Sequence, residues 1–135
     1  NHANMRYAFI NIGLVPDNGS TWFLTRQVGY SKALEIIIEG DKIPAAECLR
    51  LGLTNKVCEA DELMDKALAW ANKLANMPTI AIGATKRILN FAMNNDLYNT
   101  VTRESEEQMH LFATHDHKEG VTAFVTKRKP NFIGK

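Results

Sequence analysis

Apolar residues in the second half of the chain recur every three or four positions, which is the period of helices that bury one face. The first such stripe follows Asp61 and consists of Leu63, Ala67, Trp70, Ala71 and Leu74. The second follows Pro78 and consists of Ala81, Ala84, Ile88, Phe91 and Ala92. Each stripe predicts one amphipathic helix.

Two further helices are predicted from capping residues. Asp96 is a suitable N-cap for a long helix that reaches about Thr114. Asp116, with Glu119 three residues later, has the spacing of a capping box for a last helix, which ends before Pro130. The second half of the chain is therefore predicted to be helical throughout.

The first half has a different pattern. Residues 5–15 alternate imperfectly and are rich in aromatic and β-branched side chains, which predicts a strand or extended segment that ends at Pro16. A helix over about 18–28 should end at Gly29, and a second, over 32–39, should be capped by Ser31 and closed by Gly40. Pro44 suits the first turn of a third helix.

That third helix should end at Gly52, and residues 55–58 should form a short extended piece. The whole chain is therefore expected to be mostly helical, with little sheet of its own.

Composition excludes several classes of function. A chain of 135 residues with 45% hydrophobic and 23% charged residues has the balance of an ordinary globular domain. Its net charge of +1 gives no electrostatic basis for binding nucleic acid or membranes. Cys48, on a helix, and Cys58, in the extended piece, lack metal or redox spacing and are predicted to be free thiols of a cytoplasmic protein.

Asp17 is the leading candidate for chemistry. It follows Pro16, at the point where an apolar run turns into a helix. Apolar surroundings raise the pKa of a carboxylate toward working pH, which suits a proton-transfer group. The alternative is that Asp17 only caps the helix, and from this stretch alone the cap is the more common role.

Two other patterns are weaker. His115 and His117 have the look of a metal pair, but residues at i and i+2 diverge on a helix, and a third ligand has no candidate. We therefore predict a solvated loop there and no metal. Ser20 follows a glycine, but no base is placed beside it, so a nucleophile is not expected.

The ordered motifs of the chain resemble those of the enoyl-CoA hydratase/isomerase (crotonase) superfamily. The resemblance begins with Ile-Gly-Leu-Val-Pro-Asp-Asn-Gly-Ser-Thr-Trp at residues 12–22 and Arg-Gln-Val-Gly at 26–29. It continues in the family's order at residues 33–35, 40–43, 45–47, 51–53, 75–78, 86–87, 116–120 and 123–128. It covers nearly all of the chain from Phe9 onward.

The resemblance implies a fold class, namely a mostly α fragment of the α/β crotonase fold with its β-β-α spiral. Residues 1–58 would be the end of the spiral core, with a Pro-Asp active-site turn, and residues 59–135 the C-terminal helical oligomerisation region. Most of the coenzyme A site and the backbone oxyanion hole would lie in a preceding half. We therefore expect the chain to be truncated and inactive alone.

The resemblance also bears on the reaction. Hydratases of the family carry a glutamate where this chain has Phe9 and a glycine where it has Asp17. Members that move double bonds, including dienoyl-CoA and ring-epoxide phenylacetyl-CoA isomerases, carry an aspartate there. This favours an enoyl-CoA isomerase of the phenylacetate-pathway type with Asp17 as the catalytic residue. A hydratase is the alternative, because its other glutamate would lie outside this chain.

Further site residues follow from the same resemblance. Phe9, Leu14 and Trp22 would line the acyl pocket, although Trp22 is equally suited to the core. Phe124 would contact the adenine of coenzyme A and Lys127 its phosphates, whereas a generic surface patch is the alternative for this basic tail.

The resemblance implies a trimer or a dimer of trimers that acts on acyl-CoA thioesters. No separate cofactor is expected, since coenzyme A is part of the substrate. A rival hypothesis from another class is a helical association module without activity.

Overall fold

A computed structural model describes residues 3–135, and the chain divides into two compact units, Asn1–Lys66 and Ala67–Lys135. The functional division predicted at residues 58 and 59 stays a prediction. Both units are mostly helical, as the residue pattern predicts.

A small sheet of two strands starts the first unit. Strand β1 (Asn4–Arg6) pairs antiparallel with β2 (Lys42–Pro44), and Met5 lies opposite Ile43. The strand predicted over residues 5–15 is wrong beyond Arg6, because Ala8–Ile12 form a 3-10 helix instead.

Local hydrogen bonds explain this difference. The N–H of Gly13 donates to the carbonyl of Ile10, and that of Leu14 donates to the carbonyl of Phe9, both at 3.0 Å. Gly13 has φ +73°, a left-handed conformation that glycine adopts without steric cost. The backbone here pairs with its own neighbours, and alternation alone does not distinguish such a turn from a strand.

Three helices follow in the first unit: α1 (Ser20–Val28), α2 (Tyr30–Glu39) and α3 (Ala45–Arg50). The predicted helix ends at Gly29 and Gly40 are confirmed. The N–H of Gly29 donates to Thr25 and that of Gly40 to Ile36, across the last turn of each helix.

The predicted starts of these helices are wrong. Neither Asp17 nor Ser31 caps a helix, because Gly19 and Gly29 occupy the two N-cap positions without a side-chain cap. Pro44 lies at the N-cap of α3, directly before the first turn in which it was expected. Residues 55–58, expected to form a short extended piece, have no regular secondary structure.

The core of the first unit consists of Leu24, Ala33, Ile36, Ile43 and Cys48. Leu24 is its most enclosed large side chain, with 1% of its surface exposed. Both cysteines are free thiols, Cys48 buried and Cys58 half-buried. The thiol of Cys48 donates to the carbonyl of Ile43 at 3.5 Å and so joins α3 to β2.

Helix α4 (Leu63–Ala75) begins in the first unit and ends in the second, which continues with α5 (Thr79–Ala92), α6 (Leu97–Phe112) and α7 (His115–Val125). The carboxylate of Asp96 accepts the N–H of Asn99 at 2.8 Å, so the predicted cap of α6 is confirmed. None of the helices in residues 3–135 has the length and apolarity needed to span a membrane.

A buried carboxylate joins α5 to α6. Glu107 of α6 accepts hydrogen bonds from Arg87 of α5 at 2.8 Å and from Arg103 of its own helix at 3.0 Å. The hydrogen bond from Arg87 is the main cause that lowers the pKa of Glu107, so the group stays ionised although it is buried.

The capping box predicted for α7 is wrong. Thr114 is the N-cap, and its hydroxyl accepts the N–H of His117 at 3.1 Å. Asp116 and Glu119 instead bond to residues beyond the end of α7. The histidine pair was expected in a loop but lies in the first turn of α7, and no three His, Cys, Asp or Glu side chains in residues 3–135 are grouped as a metal ion would require.

Candidate functional site

Asp17 lies in a left-handed turn that leads into α1. Its neighbours Asn18 and Gly19 have φ values of 52° and 75°. A left-handed conformation is uncommon for a residue other than glycine, although asparagine tolerates it better than most. The turn is closed by the N–H of Ser20, which donates to the carbonyl of Asp17 at 2.9 Å.

The carboxylate of Asp17 is exposed and is not used as a helix cap. One oxygen accepts a hydrogen bond from the side-chain amide of Asn18 at 2.8 Å. The alternative that Asp17 only caps the helix is therefore wrong, whereas its catalytic role stays a prediction.

Apolar side chains flank Asp17 without burying it. Phe9 is half-buried in the 3-10 helix, and its carbonyl is tied to the N–H of Leu14, so the two residues frame the chain just before Pro16. Leu14 and Val15 are exposed. The apolar surroundings expected for Asp17 therefore do not bury its carboxylate in residues 3–135, and an acyl pocket at Phe9 and Leu14 stays a prediction.

Trp22 is half-buried in the first turn of α1 and is held on two sides. The guanidinium of Arg26 lies 3.8 Å from the centre of its ring, and the ring of Phe23 meets it edge-on at 4.8 Å. Cation–π and edge-to-face contacts both favour a fixed ring orientation. Sequence reasoning missed the role of Arg26, although its position four residues after Trp22 is the relevant signal.

Phe124 and Lys127 lie in the second unit, at the end of α7. Phe124 is 86% exposed and borders an apolar groove of about 420 Å³. Lys127 is exposed and has φ 52°, and its N–H donates to the carbonyl of Phe124 at 3.3 Å. The two residues predicted to contact coenzyme A are therefore joined by one hydrogen bond and both face solvent.

Glu119 and Arg128 form an ion pair that the sequence did not predict, because a pair nine positions apart across a helix end has no local sequence signal. Arg128 donates two hydrogen bonds to the carboxylate of Glu119, at 2.6 and 2.7 Å. The N–H of Asn131 donates a third at 2.7 Å. The contact with Arg128 and then that with Asn131 lower the pKa of Glu119 to about 2.

The entire chain, residues 1–135, matches the Enoyl-CoA hydratase/isomerase family. It is 40% identical over 123 residues to the mitochondrial enoyl-CoA hydratase of Pongo abelii, covering 91% of this chain and 42% of that protein. It is 35% identical over 128 residues to the 1,2-epoxyphenylacetyl-CoA isomerase of Escherichia coli K12, covering 95% of this chain and 49% of that protein. The chain belongs to the enoyl-CoA hydratase/isomerase family.

The fold is that of the same family. A solved enoyl-CoA hydratase of Polaromonas sp. JS666 superposes with a TM-score of 0.90 at 30% identity, over 97% of this chain and 51% of that one. The predicted fold class, a mostly helical part of the crotonase fold, is thus confirmed. The chain spans about half the length of the curated relatives that it matches.

Proposed function

We propose that the protein carrying this chain is an enoyl-CoA isomerase that shifts a double bond within an acyl-CoA thioester, with Asp17 as the acid–base group. The observation that carries the proposal is the turn at Asp17. Its two left-handed residues present an exposed carboxylate that no helix needs as a cap. Uncommon backbone conformations of this kind concentrate at functional sites.

The chemistry needs one group that removes a proton and returns it elsewhere on the same acyl chain. Backbone N–H groups of a preceding segment would polarise the thioester carbonyl and stabilise the enolate that forms. Asp17 would take the α- or γ-proton and return it at the other carbon. Phe9, at the place of a hydratase glutamate, offers no second carboxylate to hold a water molecule.

Binding of the substrate is assigned to the remaining site residues. Phe9, Leu14 and Trp22 would line the acyl chain, as apolar side chains do in most small-ligand sites. Phe124 and Lys127 would contact the adenine and phosphates of coenzyme A. The proposal needs no cofactor besides the coenzyme A of the substrate.

A hydratase is the second candidate. Its support is that relatives such as those of Pongo abelii and Clostridium acetobutylicum, at 40% and 38% identity, are named enoyl-CoA hydratases. The named isomerase is 35% identical. We favour the isomerase because the two positions that distinguish the reactions, Phe9 and Asp17, both depart from the hydratase pattern.

The setting of the enzyme is also part of the proposal. The relative named 1,2-epoxyphenylacetyl-CoA isomerase favours an acyl substrate derived from phenylacetate, and so a role in phenylacetate degradation. The two free thiols suit a reducing compartment such as the cytoplasm. We also propose a trimer or a dimer of trimers as the assembly.

Replacing Asp17 by asparagine tests the assignment in an active protein that contains this chain. The change preserves shape but removes the base, so kcat for isomerisation should fall about 100-fold or more, with little change in KM. Asp41→Asn, at another exposed aspartate of the first unit, is the matched control and should leave kcat unchanged. Near-normal turnover in Asp17→Asn would exclude Asp17 as the base.

A further inference from the structure

The turn that follows α7 is held in an unusual conformation. Helix α7 ends at Val125, and Lys127 adopts the left-handed region that non-glycine residues rarely enter. The N–H of Arg128 reaches back to the carbonyl of Ala123 at 3.0 Å, which closes the helix end around Lys127. A conformation of this kind persists only when the surroundings hold it in place.

Glu119 of α7 stabilises the turn around Lys127 by binding the residues that follow it. Its side chain is only 14% exposed and accepts Arg128 on both oxygens, so the pair has the two-pronged geometry that fixes orientation as well as distance. Its third contact, from the N–H of Asn131, ties down the chain beyond Pro130. The turn around Lys127, at residues 126–128, is therefore held by hydrogen bonds on its C-terminal side.

Asp116 fastens the end of the chain in the same way. Its buried carboxylate accepts the N–H groups of Ile133 and Gly134, each at 2.9 Å, and its own N–H donates to the carbonyl of Lys135 at 3.0 Å. Phe132, between the two fastened points, packs against Gly120 and lines the groove beside Phe124. The tail thus supports the helix end that carries the predicted coenzyme A contacts.

We infer that Glu119 and Arg128 are positioning residues for recognition of the nucleotide end of a coenzyme A thioester, because they fix the turn that presents Lys127 beside Phe124. The inference rests on the proposed function. Arg128 is paired with Glu119 and is thus engaged within the protein. Lys127 then acts as a preoriented point charge for phosphate.

One substitution distinguishes a positioning effect of Glu119 from the electrostatic effect of its charge. A carboxylate near a phosphate-binding lysine weakens phosphate binding by simple repulsion, so charge alone predicts tighter binding in Glu119→Gln. Positioning predicts weaker binding, because glutamine cannot accept Arg128 on two oxygens. Repulsion and positioning therefore predict opposite changes in the affinity for coenzyme A when Glu119 is replaced by glutamine.

The experiment compares two substrates in an active protein that contains this chain. Glu119→Gln should raise KM about three- to tenfold for an acyl-CoA but leave KM unchanged for the matching N-acetylcysteamine thioester, which lacks the adenine and phosphates. Glu47→Gln is the matched control, since Glu47 also accepts two hydrogen bonds from an arginine, Arg50, within α3 of the first unit. It should change neither KM.

An unchanged or lowered KM for acyl-CoA in Glu119→Gln would overturn the inference. Equal rises for both thioesters would also overturn it, because they would mark a general loss of structure. Arg128→Met should give a similar rise, and the double variant should be no worse than either single one, since both changes break the same pair.

The positioning role of Glu119 can fail or hold independently of the proposed isomerisation. If the unaltered protein isomerises neither thioester, the proposed reaction is wrong, and the dissociation constant of coenzyme A, measured by calorimetry, replaces KM. Glu119→Gln should then weaken binding of coenzyme A while pantetheine binding is unchanged. The positioning role would be overturned if the unaltered protein and Glu119→Gln bound coenzyme A with equal affinity, or if neither bound it.

Discussion

Phe9 and Asp17 are the two positions at which the proposed isomerase would differ from a hydratase. Phe9 lies in the 3-10 helix and Asp17 in the left-handed turn that follows, and neither side chain is required for the hydrogen bonds that shape these segments. Those bonds are made by main-chain groups, whereas the side chain of Asp17 bonds only to that of the neighbouring Asn18. A change of reaction at these positions therefore needs little change in fold.

The double variant Phe9→Glu with Asp17→Gly tests this directly. It places a carboxylate where a water could be held and removes the proposed isomerisation base, so hydration of a crotonyl thioester should rise at least about tenfold while isomerisation is lost. Loss of absorbance of the conjugated thioester measures hydration. Phe9→Leu is the control for changing Phe9 alone and should stay inactive in hydration.

Efficient hydration of the crotonyl thioester by the unaltered protein would contradict the isomerase preference. It would then favour the hydratase named among the relatives.

At the scale of elements, α7 depends on the tail that follows it. Burial acts to raise the pKa of Asp116, but hydrogen bonds from Ile133, Gly134 and His115 outweigh it and lower the pKa. The pKa of Glu119 is lowered from 4.5 to about 2, first by Arg128 and then by Asn131. Both carboxylates therefore hold the tail more strongly when they are ionised than when they are protonated.

This arrangement predicts a dependence of stability on acid. Because the folded pKa of Glu119 lies below its ordinary value, its stabilising contribution is complete above about pH 4.5 and is lost as the pH falls toward about 2. Thermal unfolding followed by circular dichroism should show a smaller loss of Tm over this range in Glu119→Gln than in the unaltered chain. Glu104→Gln, at an exposed carboxylate of α6, should keep the full loss.

An equal fall of Tm in the Glu119→Gln variant and the unaltered chain would show that Glu119 does not contribute to the acid response.

At the scale of the whole molecule, α6 presents an apolar face that its own unit covers only in part. The face comprises Leu97, Val101, Met109 and Phe112, and Leu97 and Met109 are 80% and 68% exposed. Contiguous apolar surfaces on a soluble chain usually mark an interface. For the chain by itself, the partner at hand is a second copy.

We predict that the isolated chain self-associates at micromolar concentration, because burial of this face removes apolar surface from water. Sedimentation or light scattering should detect the oligomer. Leu97→Ser with Met109→Ser should shift it toward monomer, whereas Met64→Ser, at an exposed methionine of α4, should have little effect. A well-folded monomer of the unaltered chain would contradict the prediction.

Much of the fold was predictable because it depends on neighbours in sequence. The stripe after Pro78 predicted α5, Asp96 capped α6 as expected, and Gly29 and Gly40 ended their helices. Helical periodicity and capping involve residues within about four positions of one another, which a sequence displays directly. The family was likewise predictable, because the motifs that indicate it can be read in order along the sequence.

Only the tertiary structure decided which partners the polar groups found. Asp116 and Glu119 have the spacing of a capping box, but bonds to Ile133, 17 residues later, and to Arg128, nine residues later, took their place. Two other departures are local: Gly19 and not Asp17 is the N-cap of α1, and the residues after Arg6 form a 3-10 helix by bonding to their own neighbours. One local pattern is compatible with several partners, and the choice is made when distant segments are brought together and each N–H must find an acceptor.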